Sequence, residues 1–385
     1  MSDPITIIGT GLAGYNLARE LRKQSPDAEL RILTADGGDF YSKPMLSNAL
    51  AGGKTAAQLA VKSAAKMAEE LRADVRVGVR VQALHPTAHR ITTDAGDLSY
   101  GKLVLAIGAS PFVPAMGGDG AADVLTVNNL DDYARFRQRI EGQSRVLLLG
   151  AGLIGCEFAN DLRSRAIEVD VVDLAAWPLP RLLPEAAGRR LQDALTQAGV
   201  RFHLGTSIQS IERLASGGYR ATLANNGQPL VADVILSAVG LRPRVDLARA
   251  AGLAVRGGIV VNRLLRSSDP DIYALGDCAE VEGHVLPFVL PLMHCARALA
   301  ATLAGRDTPV AYPAMPVVVK TPACPTAICP PPVGVSGGWQ IDSADDSLRA
   351  LFRDDSGQLR GFVVMGSAAA ERAALAAQIP PLLPA

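Results

Sequence analysis

Two copies of the pattern Gly-x-Gly-x-x-Gly constrain this chain more than any other feature: Gly9-Thr10-Gly11-Leu12-Ala13-Gly14 and Gly150-Ala151-Gly152-Leu153-Ile154-Gly155. Each follows a short apolar run, at 5–8 and 146–149, and each opens a stretch of helical character. In that setting the glycines have separate tasks: a tight turn, an open approach for a pyrophosphate, and close packing of helix on strand. The helix N-terminus then faces the negative charge. One such pattern alone is a weak signal. Two, each in context, imply two dinucleotides in one protein and transfer of electrons or hydride between them.

Size and charge fit a soluble enzyme. A chain of 385 residues exceeds one ordinary core, so two or three domains are expected. The 38 basic and 38 acidic residues balance, which gives no global case for nucleic acid or an anionic membrane as partner. No uninterrupted apolar run reaches the ~18 residues of a membrane span. The opening Met1-Ser-Asp-Pro shows no basic segment leading into an apolar one. Five scattered cysteines suit a reducing compartment better than a disulfide framework. A cytoplasmic protein is expected. The five histidines show no metal-ligand spacing, and no metal site is expected.

The first fingerprint heads a strand–turn–helix–strand unit, with the helix over 14–24 and the second strand over 29–34. Such a unit usually ends on an acid that meets the adenosine ribose. Here Thr34 stands at that place and Asp36 two residues on, so Thr34, Asp36 and the backbone all remain candidates. The second unit has strands at 145–149 and 168–173 around a helix running to about residue 165. Asp173 follows Gly150 by 23 residues, close to the ~20 at which an acid meets the ribose 2′-hydroxyl. An ionised carboxylate there repels a 2′-phosphate, and no basic group follows before Arg181. NADH is therefore expected rather than NADPH.

Three further segments sharpen the reading: Phe40-Tyr41-Ser42-Lys43-Pro44-Met45-Leu46-Ser47, Gly276-Asp277, and Val317-Val-Val-Lys320-Thr-Pro-Ala-Cys-Pro325. With the two fingerprints, they make the chain resemble the two-dinucleotide-binding flavoprotein reductases, and in particular the bacterial rubredoxin–NAD reductases, over essentially its whole length. The flavorubredoxin reductases of nitric oxide detoxification share much of the pattern. Ferredoxin reductases of oxygenase systems are the next alternative, although their tryptophan-rich segment is missing here.

The resemblance implies an α/β fold of the glutathione-reductase-like type. It has two Rossmann-like domains, for FAD and NAD, and a small C-terminal α+β domain. Residues 1–108 and 239–311 would hold FAD, 109–238 NADH, and 312–385 would frame the flavin and the partner. Lys43 would approach the reactive edge of the flavin, paired with Glu157 on the nicotinamide side; these two are the catalytic candidates. Pro44, Val81, Gly108, Gly240, Gly276, Asp277 and Lys320 join the fingerprint residues as cofactor-binding candidates, Asp277 at the ribityl chain. Lys320, Lys43 and Arg297 are candidates for docking an acidic rubredoxin. A helix from about residue 292 would aim its N-terminus at the flavin. The expected assembly is a monomer or weak homodimer.

The cysteines exclude a dithiol mechanism. Residues 1–155 contain none, Cys156 lacks the second thiol of a Cys-x-x-Cys pair, and Ser47 stands near where a peroxidatic cysteine would be. Cys324 and Cys329 read as small buried hydrophobes. Electrons would therefore leave the flavin directly for a one-electron carrier.

Overall fold

A computed structural model describes residues 3–384. The apolar run Ile5–Ile8 becomes the middle of a five-stranded parallel sheet. Its order is Ile272–Ala274, Lys102–Leu105, Ile5–Ile8, Leu30–Leu33, Asp74–Arg76. Strands covered on both faces read as continuous aliphatic runs, and Ile7, Ile32, Leu103 and Val104 are all fully buried. Helix α1 (Leu12–Gln24) packs on this sheet through Tyr15, Leu17, Ala18 and Leu21. One apolar core joins it to residues 245–312, so the first and later parts of the chain bury a common interior.

The second fingerprint lies on a four-stranded parallel sheet ordered Val200–Leu204, Glu168–Asp173, Arg145–Leu149, Val234–Ser237. Helix α2 (Leu153–Arg163) follows the glycine turn. Three antiparallel strands, Ile208–Arg213, Tyr219–Leu223 and Leu230–Ala232, form a meander. A two-stranded antiparallel link joins Ala109–Pro111 to Leu241–Pro243, where the chain leaves and re-enters the first unit.

The C-terminal part is a five-stranded antiparallel sheet, ordered Val317–Val319, Thr326–Cys329, Leu359–Gly366, Ser347–Asp354, Gly337–Ser343. Trp339 lies inside the edge strand Gly337–Ser343, its ring edge-on to Phe352 at 5.5 Å. The alanine-rich tail is a 3₁₀ turn, Ser367–Glu371, leading into a short α-helix, Arg372–Ala376. Helix α3 (Val289–Leu303) starts three residues before the expected 292. Pro291 sits in its first turn, where the missing N–H has no intrahelical partner to lose. No helix among the described residues is long and apolar enough to cross a membrane.

Candidate functional site

The two glycine turns are built alike. Gly9 and Gly150 take φ of +116° and +103°, a region open to glycine and costly for other residues. A Cβ on Gly14 would lie 1.9 Å from the Gly9 carbonyl oxygen, and one on Gly155 2.0 Å from that of Gly150. These third glycines exist to let helix and turn touch. The middle glycines differ: a Cβ on Gly11 or Gly152 would meet nothing within 4 Å. Both are N-caps without a side-chain hydrogen bond. Each helix thus begins with free N–H donors facing an open cradle, which fits the pyrophosphate of a dinucleotide.

A cleft of about 520 Å³ runs from the first cradle to the second helix and the C-terminal sheet. Gly11, Leu12, Ala13, Lys43, Pro44, Gly108, Leu153, Ile154, Glu157, Asp277 and Lys320 all line it. Eleven sequence-derived candidates from six separate segments therefore meet in one place. Phe288 to Leu292, the start of α3, close another wall. Sequence reasoning missed Asn128, Phe158, Met315 and Pro316 as lining residues, and gave Ser47, Val317 and Val318 no role in the cleft although they stand in the segments that carried the resemblance. Ser47 was remarked on only for the cysteine it replaces, and Asn128, Phe158, Met315 and Pro316 carry no local motif.

The charges pair differently from the expectation. Glu157, only 1% exposed, is partnered not by Lys43 but by Lys320. The Lys320 ammonium bonds its Oε2, and the Lys320 backbone N–H donates to Oε1 at 3.0 Å. Lys43 instead lies 3.9 Å from Asp277. The exchange follows from where each lysine leaves its element: Lys320 follows the strand Val317–Val319 and meets Glu157 on α2, while Lys43 stands at the start of a 3₁₀ turn, Lys43–Asn48, that packs on α2 further along, and its own side chain extends to the Gly-Asp segment. Burial pulls the Lys43 ammonium below its ordinary pKa, Asp277 opposes that, and Arg244 reinforces it. Lys320 points inward and is spent on Glu157, so it is not a free docking cation. Arg297 is exposed on α3.

Helix α2 is fastened at two more points. The Asp161 carboxylate accepts from the backbone N–H of Leu50 at 2.8 Å and of Ala51 at 2.9 Å. Burial raises its pKa, and these two hydrogen bonds counter the rise. Asn160 Oδ1 accepts from Ala323 N at 3.1 Å. One helix thereby holds both the loop after the first fingerprint and the C-terminal turn.

The remaining candidates support the cradles or lie apart from the cleft. Asp36 Oδ1 accepts from Thr34 Oγ1 at 2.6 Å, Gly38 N at 3.0 Å and Thr10 Oγ1 at 3.4 Å. Asp173 clamps the second turn, accepting from Ala151 N at 2.6 Å and Ala175 N at 2.7 Å. Gly276 (φ +78°) abuts the start of α1, where a Cβ would fall 2.9 Å from that of Ala13. Gly108 and Gly240 take φ of +67° and +130° at the ends of the inter-unit link. Val81 opens the strand Val81–His85, packs half-buried against the first core, and does not line the cleft.

All five cysteines are unpaired and buried. Burial pushes the thiols of Cys278, Cys295 and Cys329 up to about 11 and moves Cys156 and Cys324 upward as well. None lines the cleft.

The family described as pyridine nucleotide-disulphide oxidoreductase matches residues 3–300, and a rubredoxin-binding C-terminal domain matches residues 309–379. The chain is 46% identical to a rubredoxin–NAD(+) reductase of Alcanivorax borkumensis over 99% of its own length and 100% of that protein's. It is 40% identical to a nitric oxide reductase FlRd–NAD(+) reductase of Aeromonas hydrophila over 99% and 97% of the respective chains. The structure of a ferredoxin reductase from Rhodopseudomonas palustris superposes with a TM-score of 0.89 at 27% identity, covering 98% of this chain and 96% of that one. With the paired glycine turns and the shared cleft, these likenesses establish that the chain belongs to the pyridine nucleotide-disulphide oxidoreductase family.

Proposed function

We propose that this protein carries electrons from NADH through FAD to rubredoxin. The observation that carries the proposal is the single cleft in which both glycine-turn helices and the 315–320 segment meet, together with the rubredoxin-binding match over 309–379. Bound FAD supplies a ring that takes two electrons as hydride from NADH and returns them singly to a one-electron carrier.

The first cradle and the N–H groups of α1 would hold the FAD pyrophosphate, and Asp277 would accept from the ribityl hydroxyls. Asp36 has one carboxylate oxygen committed to the loop, so its Oδ2 is the ribose contact favoured here over Thr34. Lys43 and the N-terminus of α3 place positive charge at the cleft wall, where it stabilises negative charge gained on reduction. The second cradle would hold the NADH pyrophosphate. Glu157 and Lys320 would flank the nicotinamide, and Asp173 would exclude a 2′-phosphate.

Residues 1–108 with 239–311, 109–238, and 312–385 are the corresponding FAD, NAD and partner units. Five unpaired thiols favour a reducing, cytoplasmic setting, and the reading requires no more than a monomer or weak homodimer. Arg297, exposed on α3, is the docking candidate that remains free to steer an acidic carrier. The test is stopped-flow mixing of NADH-reduced protein with rubredoxin, flavorubredoxin and ferredoxin. Rubredoxin is expected to be reduced fastest, and a faster rate with either rival would overturn the assignment.

A further inference from the structure

We propose that Ser47 is a positioning residue for the nicotinamide side of the cleft, its hydroxyl fixing the direction in which the Glu157 carboxylate faces. The inference rests on the placement of the nicotinamide beside Glu157. Ser47 is 4% exposed and lies in the 3₁₀ turn Lys43–Asn48. Its Oγ donates to Glu157 Oε2 and lies 3.4 Å from the Lys320 ammonium, from which it accepts. One hydroxyl therefore sits between a buried carboxylate and its cation, and the three groups come from three separate units of the fold.

The two oxygens of Glu157 are held unequally without it. Oε1 is fixed by a backbone N–H at 3.0 Å. Oε2 would depend on a lysine head alone, at the end of a four-carbon stem that carries about 2 kcal/mol of rotamer entropy. A serine hydroxyl on a buried turn has one rotatable bond and little freedom. It converts a swivelling carboxylate into a fixed one, and reactive geometry is sensitive to displacements near 1 Å.

Docking of α2 against this loop does not need the serine. Asp161, one turn further along the helix, already ties the helix to Leu50 N and Ala51 N. Ser47→Ala is therefore expected to fold normally and to isolate the orienting role.

Ser47→Ala, Glu157→Gln and the double variant, all loaded with FAD, are compared by stopped-flow reduction with NADH and by urea unfolding. In Ser47→Ala the limiting rate of flavin reduction is expected to fall about tenfold, the scale of one lost hydrogen bond to a charged group. The NADH dissociation constant from the same traces should move less than about twofold, and the urea midpoint should hold. In the Glu157→Gln background the serine change should add nothing, and Ser47→Thr, which keeps the hydroxyl, should restore most of the rate. An unchanged rate in Ser47→Ala overturns the proposal, as does a loss matched by an equal loss in NADH affinity or urea midpoint, or a full further loss on Glu157→Gln. If Glu157→Gln itself leaves flavin reduction untouched, the placement of the nicotinamide fails, and the role of Ser47 fails with it.

Discussion

Two alanine substitutions within one glycine pattern are expected to differ in what they damage most, the fold at one position and NADH binding at the other. A Cβ on Gly155 would stand 2.0 Å from the Gly150 carbonyl oxygen and 3.0 Å from its carbon. Ordinary contact begins near 3.4 Å, so the start of α2 must move away by about 1.4 Å. Neither side can yield easily. The oxygen belongs to a turn residue at φ +103°, and the helix is tied down by Glu157 and Asp161. Overpacking of this kind costs about 1–3 kcal/mol. Because the helix start is also the floor of the cradle, NADH affinity should fall too.

Gly152→Ala adds its methyl to open space at φ −74°. Its cost in the unliganded protein is confined to the poorer N-cap, about 0.5–1 kcal/mol. On the proposed placement that methyl stands where the pyrophosphate would approach, so NADH affinity should drop tenfold or more, equivalent to at least about 1.4 kcal/mol. Urea unfolding and NADH titration on FAD-loaded protein separate the two effects, with bound flavin as the control, since the first cradle is unaltered. A Gly152→Ala protein that binds NADH normally, or a Gly155→Ala protein as stable as the parent, would refute the steric argument.

Lys320→Met leaves Glu157 buried with two hydrogen bonds but no cation. Breaking such a pair costs about 3–5 kcal/mol when fully enclosed. The partial exposure of Lys320 and the surviving bonds reduce this to about 2 kcal/mol, readable in the urea midpoint and offset by adding Glu157→Gln. At the far end of the second sheet, burial works against the Asp170 carboxylate, but hydrogen bonds from Arg201 and His203 hold its pKa below the usual value. A depressed acid stabilises the fold above its unfolded pKa of about 4 and loses that contribution as pH falls through the folded value. Arg201→Met should therefore be less stable than the parent at pH 7, with the gap closing below about pH 4. A pH-independent gap in urea midpoints would contradict this. Native protein should react with a thiol reagent at fewer than one of its five cysteines on the time scale of turnover, and at all five after unfolding. Rapid native labelling accompanied by loss of NADH oxidation would restore a role for sulfur.

The cradles were legible because their requirements are local. Gly9, Gly11 and Gly14 answer to sterics within one turn, and the pattern repeats intact at Gly150, Gly152 and Gly155. Parallel strands such as Arg145–Leu149 announced themselves as aliphatic runs. Partner choice across the cleft was not legible: Lys43 and Lys320 are both lysines in proline-marked segments, and only the fold decides which one reaches Glu157. Ser47 is hidden for the same reason, since a serine in a loop has no pattern until a carboxylate from 110 residues away arrives beside it. The early start of α3 was obscured by Pro291, since proline breaks a helix interior but is accepted in a first helical turn.

The joint at Glu157 bears on how such a protein can diversify. The segment that follows the strand Val317–Val319, in the sheet proposed to meet the carrier, also supplies, through the Lys320 amide and ammonium, the donors that secure a carboxylate on α2, the helix proposed to lie beside the nicotinamide. Exchanging the final sheet to suit a different electron carrier would thus disturb the entry point of the fuel as well. On the proposed placement, acceptor preference and donor handling are mechanically joined, and grafts that ignore that one lysine should trade both properties at once.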